Sequence, residues 1–152
     1  MILQIPNYKS VEIKNIVLDY NGTIAKDGVV KKNVKNYIEK LSEYNIYVLT
    51  ADTHGSAKKN LQNLNINLTI LKSNNHAKEK AEFVKNLKNV IAIGNGSNDA
   101  LMLKEADIGI CVIEDEGASV KSIITADIVT KSIEDAFEMI INPKRLIATL
   151  RE

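Results

Sequence analysis

The 152-residue chain is 45% apolar and 26% charged, the proportions of a globular protein with a core of its own. A formal net charge of +1 gives no drive toward nucleic acid or an anionic membrane surface, and no run approaches the ~20 apolar residues of a membrane span. The lone Cys111 excludes an internal disulfide, and Met1–Pro6 lacks the pattern of a signal peptide, so the expectation is a cytoplasmic protein without membrane or nucleic-acid partners.

Taken in chain order, the sequence alternates strand-like and helix-like segments. Ile2–Ile5 and Val11–Ile13, around a Pro-Asn turn, read as a short hairpin, and Ile16–Leu18 as a buried strand ending at Asp19. Asn33 is placed to cap a helix whose apolar face is Val34, Tyr37, Ile38 and Leu41. Ile46–Thr50 is the next strand. Asp52 or Thr53 then caps a helix carrying Ala57, Leu61 and Leu64. Ile66–Leu71 is a strand, His76–Leu87 a helix, Val90–Gly94 a strand, Asp99–Glu105 a short helix and Ile108–Ile113 a strand containing Cys111 as a buried thiol. Val120–Ile124 reads as a short helix, Asp127–Thr130 as a strand, and Ile133–Ile141 as a helix ended by Asn142-Pro143. Strands joined through helices require crossover connections, so the fold class is a three-layer, Rossmann-like α/β domain over residues 1–152 with a mainly parallel sheet.

Ligands of such sheets bind beyond the carboxyl ends of the strands. The polar residues at those ends are therefore the candidates. Asp19 closes a buried strand and is followed by Tyr20-Asn21-Gly22-Thr23, a turn that aims backbone N–H groups inward. Thr50, followed by Ala51, ends a neighbouring strand. Lys80 lies on the His76–Leu87 helix. Gly94-Asn95-Gly96-Ser97-Asn98-Asp99 follows another strand.

In order, spacing and strand context these segments resemble the four motifs of the haloacid dehalogenase (HAD) superfamily, which run DxDGT, a strand ending in Thr or Ser, a helical Lys, and GDGxND. The resemblance spans Ile16 to Ile141, and the stretch Gly94 to Ile110 is most similar to the phosphorylation domain of P-type ATPases, which points to the soluble, P-type-ATPase-like branch. The resemblance implies that Asp19 attacks phosphorus and becomes an aspartyl phosphate. It implies a phosphate-binding set of Asp19, Tyr20, Asn21, Thr50, Ala51, Lys80 and Asn98, with Asp19, Asn21, Thr50 and Lys80 in catalytic positions. It implies Mg²⁺ as the cofactor, held through Asp19, the Asn21 backbone carbonyl and Asn95, with Asp99 orienting metal-bound water and Asn98 fixing the loop. Lys80 is preferred over Lys78 because Lys-x-x-x-Val fits the P-type spacing.

Two family carboxylates are amides here, Asn21 and Asn95. The first stands where the family carries its general acid/base, and its loss implies about 10²–10⁴-fold in the assisted step. With Asp19 and Asp99 against Lys80 the site carries a net charge of −1, so weaker Mg²⁺ binding and weaker repulsion of free phosphate are expected. Asn21-Gly22 and Asn95-Gly96 are also deamidation-prone pairs, and conversion to Asp restores the family carboxylate.

His54 and His76, without a Cys or carboxylate cluster, make no zinc site and are read as surface or loop residues; Glu114-Asp115-Glu116 reads as a solvated loop. The intervals Thr23–Thr50 and Thr50–Lys80 are too short for a cap domain. The expected molecule is thus a capless phosphatase of slow turnover acting on a phosphorylated small molecule or protein. It meets a partner that supplies a lid or assembles with its own copies, Ala25–Val30 being the contact segment. The alternative is a phosphate-binding pseudoenzyme or regulatory module. No Walker-type loop and no inserted nucleotide-binding domain is seen, so ATP hydrolysis is not expected.

Overall fold

The computed structural model describes residues 1–52 and 55–152. An antiparallel hairpin, β1 (Ile2–Ile5) with β2 (Lys9–Glu12), precedes the first central strand, β3 (Asn15–Asp19). A tighter hairpin follows, β4 (Ala25–Lys26) with β5 (Val29–Val30), and then α1 (Val34–Lys40), β6 (Asn45–Thr50), α2 (Ser56–Leu61) and β7 (Asn67–Ile70). The second half runs α3 (His76–Leu87), β8 (Val90–Gly94), α4 (Ala100–Glu105), β9 (Ile108–Val112), α5 (Val120–Thr125), β10 (Ile128–Thr130), α6 (Ile133–Ile141) and α7 (Pro143–Leu150). A 3-10 turn at Ser97–Asp99 joins β8 to α4.

The central sheet has six parallel strands in the order β10-β9-β8-β3-β6-β7. Its middle strands β3 and β8 are buried along their whole length, with apolar interiors, because helices cover both faces. Ile16 and Leu18 of β3 face the layer that holds Val34, Ile38, Leu61, Phe137 and Leu146, whereas Val17 faces Val84, Met102 and Leu103. Helices α1, α2, α6 and α7 thus cover one face, and α3 and α4 the other. The chain winds outward from β3 through β6 to β7, then crosses back to β8 on the far side of β3. That reversal opens a crevice at the carboxyl ends of β3 and β8.

Among the described residues the expected three-layer α/β architecture without a cap domain is the observed one, with local differences. The hairpin strand β2 lies at Lys9–Glu12 rather than Val11–Ile13, and Ile13 follows it, donating its amide to the Met1 carbonyl at 2.7 Å. Asn142-Pro143 ends α6 as expected, yet Pro143 also starts α7, which buries Leu146 and Leu150. Proline fits the first turn of a helix, where its missing N–H has no partner to lose. Asn33 occupies the cap position of α1 without a side-chain cap bond. The Asp52 carboxylate accepts from the amides of Ala57 and Lys58 at 3.0 and 3.3 Å, capping α2; Thr53 and His54 lie outside the described residues. Among the described residues no helix is long and apolar enough to cross a membrane.

Candidate active site

A cleft of about 300 Å³ opens at the carboxyl ends of β3 and β8, and its walls include Asp19, Asn21, Thr50, Ala51, His76, Lys80, Asn95, Asn98 and Glu116. At its floor, the Lys80 ammonium donates to Asp19 Oδ1 at 2.6 Å and to Asp99 Oδ1 at 2.7 Å. Lys80 is 1% exposed, so its charge survives burial only because two carboxylates flank it. Burial alone pulls the ammonium down, but Asp19 and Asp99 overcome it and hold Lys80 up at about 12. Asp19 moves the other way. Burial first and the Asp99 charge second push its carboxyl up to about 6, against the attraction of Lys80. Lys78, the rival lysine, is exposed on the outer face of α3, 4.0 Å from Glu82.

Asp99 is the fixed point of this triad. Its Oδ2 accepts from the backbone amides of Asn95 and Gly96 at 3.0 and 2.9 Å, while Oδ1 holds Lys80. The side chain is fully buried and is not part of the cleft wall. Its carboxylate is turned into the protein, where it holds Lys80 and ties the loop.

Asp19 Oδ2 accepts from the Thr23 hydroxyl at 3.2 Å, and the Asn95 amide oxygen lies 3.5 Å from that hydroxyl. Asn95 Nδ2 donates to the Gly117 carbonyl at 2.9 Å, which leaves its oxygen on the Asp19 side. Gly22, at φ +81°, lets the turn run against this amide: a Cβ there would stand 2.4 Å from Asn95 Nδ2. One Asp19 carboxylate oxygen and the Asn95 amide oxygen, hard donors that meet at the Thr23 hydroxyl, fit a cation such as Mg²⁺ that keeps most of its water. Among the described residues no cluster of three His, Cys, Asp or Glu side chains is placed to hold a metal.

Thr50 lines the cleft, its Oγ1 accepting from the Asp52 amide at 3.3 Å, which leaves its own proton to donate. Ala51 and the exposed Asn98 line the wall. Tyr20 does not; its ring is buried and its hydroxyl donates to the Gly28 carbonyl at 2.8 Å, although its backbone amide donates to Asp19. The side chain of Asn21 faces the β4–β5 hairpin, its oxygen accepting from the Gly28 amide at 3.1 Å. The nitrogens that would attack each asparagine in deamidation are committed, Gly22 N–H to the Ala25 carbonyl at 2.8 Å and Gly96 N–H to Asp99 at 2.9 Å. Both bonds hold that conversion back.

Sequence reasoning missed two features of the rim. His76, read as a surface or loop residue, is in the cleft wall. Its signal was the spacing of four to Lys80, which puts both on one face of α3. Glu114–Glu116, read as a solvated loop, is fastened to the β4–β5 hairpin and its flank. Lys31 bridges Glu114 and Glu134 at 2.8 and 3.0 Å, Lys26 pairs with Asp115 at 2.9 Å, and the Asp27 amide donates to Glu116 at 3.3 Å.

The sequence model of the haloacid dehalogenase-like hydrolases matches residues 75–137, the stretch that carries Lys80 and Asn95–Asp99. An uncharacterised protein of Methanocaldococcus jannaschii is 58% identical over 65 residues, 43% of this chain and 70% of that protein. A soluble P-type ATPase-like phosphatase of the same organism is 26% identical over 123 residues; the match takes in 77% of this chain but 45% of that phosphatase. Among solved structures, the 3-deoxy-D-manno-octulosonate 8-phosphate phosphatase of Moraxella catarrhalis, crystallised with magnesium, phosphate and KDO, superposes with a TM-score of 0.70 at 17% identity, over 91% of this chain and 94% of that one.

Proposed function

Since the chain belongs to the haloacid dehalogenase superfamily of hydrolases, in its P-type-ATPase-like branch, we propose that it is a phosphohydrolase that takes the phosphoryl group of a monoester onto Asp19. The observation that carries the reading is the ammonium of Lys80, held between Asp19 and Asp99 beneath an open cleft.

The chemistry follows from that arrangement. An Asp19 oxygen forms a bond to phosphorus as the ester P–O bond breaks on the opposite side, and water then cleaves the acyl phosphate to return Asp19 and release phosphate. Lys80 balances the charge of the phosphoryl oxygens and, fixed by Asp99, does so without reorganising. Thr50 donates its hydroxyl to the same oxygens, with the backbone amides of Asn21 and Ala51 beside it, while the Tyr20 amide holds Asp19 and Asn98 stands at the edge. Asp19, the Asn21 backbone carbonyl and Asn95 would hold Mg²⁺, which would supply further positive charge to the phosphate. The substrate is a phosphorylated small molecule, or a phosphorylated protein that brings its own cover to a capless cleft. The setting is the cytoplasm.

The amide at Asn21, with its oxygen committed to Gly28, favours a second reading in which phosphate binds and turnover is slight. A panel of phosphomonoesters with Mg²⁺ separates the two. Asp19-dependent release of phosphate, abolished in Asp19→Asn, is the expected result. A wild type that releases none, yet binds inorganic phosphate by calorimetry, establishes the binding module instead.

A further inference from the structure

An enzyme that esterifies Asp19 must protonate the departing oxygen and later deprotonate a water. Asn21 has no proton to exchange, and its amide oxygen is fixed on the Gly28 amide. Among the described residues of the cleft wall the ionisable side chains are Asp19, Lys80, Glu116 and His76. Asp19 and Lys80 are bound to each other, and Glu116 is an exposed carboxylate with one oxygen on the Asp27 amide. Of the four, His76 carries the side-chain type that exchanges a proton near neutral pH.

Its place in the fold suits the task. It is the first residue of α3, a helix that begins at the carboxyl end of the sheet, and it stands one turn before Lys80 on the same face. A turn is about 5.4 Å, so along α3 His76 lies about that far beyond Lys80, toward the carboxyl end of the sheet where the cleft opens. In-line displacement puts the leaving oxygen on the far side of phosphorus from Asp19, which is the mouth. Imidazole is the side chain that gains and loses a proton near neutral pH. The charged groups that share the cleft with it are Lys80 on its own helix, Asp19 on β3 and Glu116 on the loop after β9, and Glu79 lies close to it on α3.

We propose that His76 is the proton carrier of this cleft. As the bond from Asp19 to phosphorus forms and the ester bond breaks, imidazolium gives its proton to the leaving oxygen, which departs as the alcohol. The neutral imidazole then takes a proton from the water that attacks the acyl phosphate; phosphate leaves, Asp19 is freed and the imidazolium is restored. The assignment rests on the phosphohydrolase reading of Asp19 given above.

The test compares wild type, His76→Asn and Asp19→Asn on 4-nitrophenyl phosphate, whose leaving group needs no proton, and on glycerol phosphate, whose leaving group does. The measured quantity is kcat/KM with Mg²⁺, which reports phosphoryl transfer to Asp19 and not its later release. The expected result is a fall of about 10²-fold or more for His76→Asn on glycerol phosphate and less than tenfold on the nitrophenyl ester, with a burst of nitrophenol as acyl phosphate accumulates. Asp19→Asn is expected to abolish both reactions. Equal falls on the two esters, or none, while Asp19→Asn stays inactive, overturn the role of His76 and leave Asp19 standing. Phosphate release that survives Asp19→Asn, or a wild type inert on both esters, overturns the two readings together.

Discussion

At the floor of the cleft every charge is matched and buried: Lys80 answers Asp19 and Asp99, and Asp99 in turn answers two backbone amides. At the rim the same cleft is lined by an amide turned aside, a histidine at the start of a helix and an acidic loop laced to a hairpin by partly exposed lysines. The floor cannot lose a member without stranding a buried charge or donor, whereas the rim can exchange residues at small cost. Asp19, Thr50, Lys80 and Asp99, which make or border the floor, have the residue types of the motifs that the sequence resembles, while Asn21 at the rim departs from them. Asn95, the other amide, lies between the two regions, buried but in the cleft wall.

The comparison breaks most readily at Asp99. Replacing it by Ala leaves Lys80 with one partner and leaves the Asn95 and Gly96 amides without an acceptor in a buried loop. The expected loss is about 3–5 kcal/mol, read from the midpoint and slope of a urea titration. A loss below about 1 kcal/mol means that the floor is no more demanding than the rim.

The rim is tested by moving its proton back to the family position. In the His76→Asn background, Asn21→Asp places a carboxyl where the family carries its acid, and that carboxyl keeps an oxygen for the Gly28 amide. Recovery of about tenfold to a hundredfold in kcat/KM on glycerol phosphate is expected, with the folded protein little changed in thermal midpoint. Failure to recover in a stably folded variant shows that position 21 cannot reach the leaving oxygen from its place beside the hairpin.

Much of this division was legible in the residues. The floor was, because a strand-end aspartate, a strand-end threonine and a helical lysine have positions set by strand order and helix phase. Runs such as Val90–Gly94 read as buried strands because nothing polar interrupts them. The rim was not, because its contacts depend on loop geometry. The β4–β5 strands are two residues each, too short for alternation to register, so Ala25–Val30 could be read only as an exposed segment. Glu114 looked solvated because its partners, Lys31 and the Ile133 amide, are distant in sequence. The inward turn of Asp99 was hidden for the same kind of reason: spacing gives the residue, but the direction of its oxygens is set by where the Asn95 and Gly96 amides fall. Pro143 was read for what it ends and not for the helix it begins, although Leu146, Ile147 and Leu150 had helical spacing.

The mildest change probes whether the rim's lacing matters to the fold at all. Lys31 is about a quarter exposed and bridges Glu114 and Glu134, while Glu114 also accepts the Ile133 amide at the start of α6. Lys31→Ala removes one cation from this set but leaves Glu114 its backbone donor, so neither carboxylate is buried without a partner. The expected cost is about 1 kcal/mol or less, shrinking further as salt is raised because part of the network lies in water. A cost as large as that of Asp99→Ala, and insensitive to salt, means that the acidic loop belongs to the floor. In that case the hairpin that carries the Asn21 contact is held as rigidly as Asp19 itself, and the tolerance for change at position 21 must come from the chemistry alone.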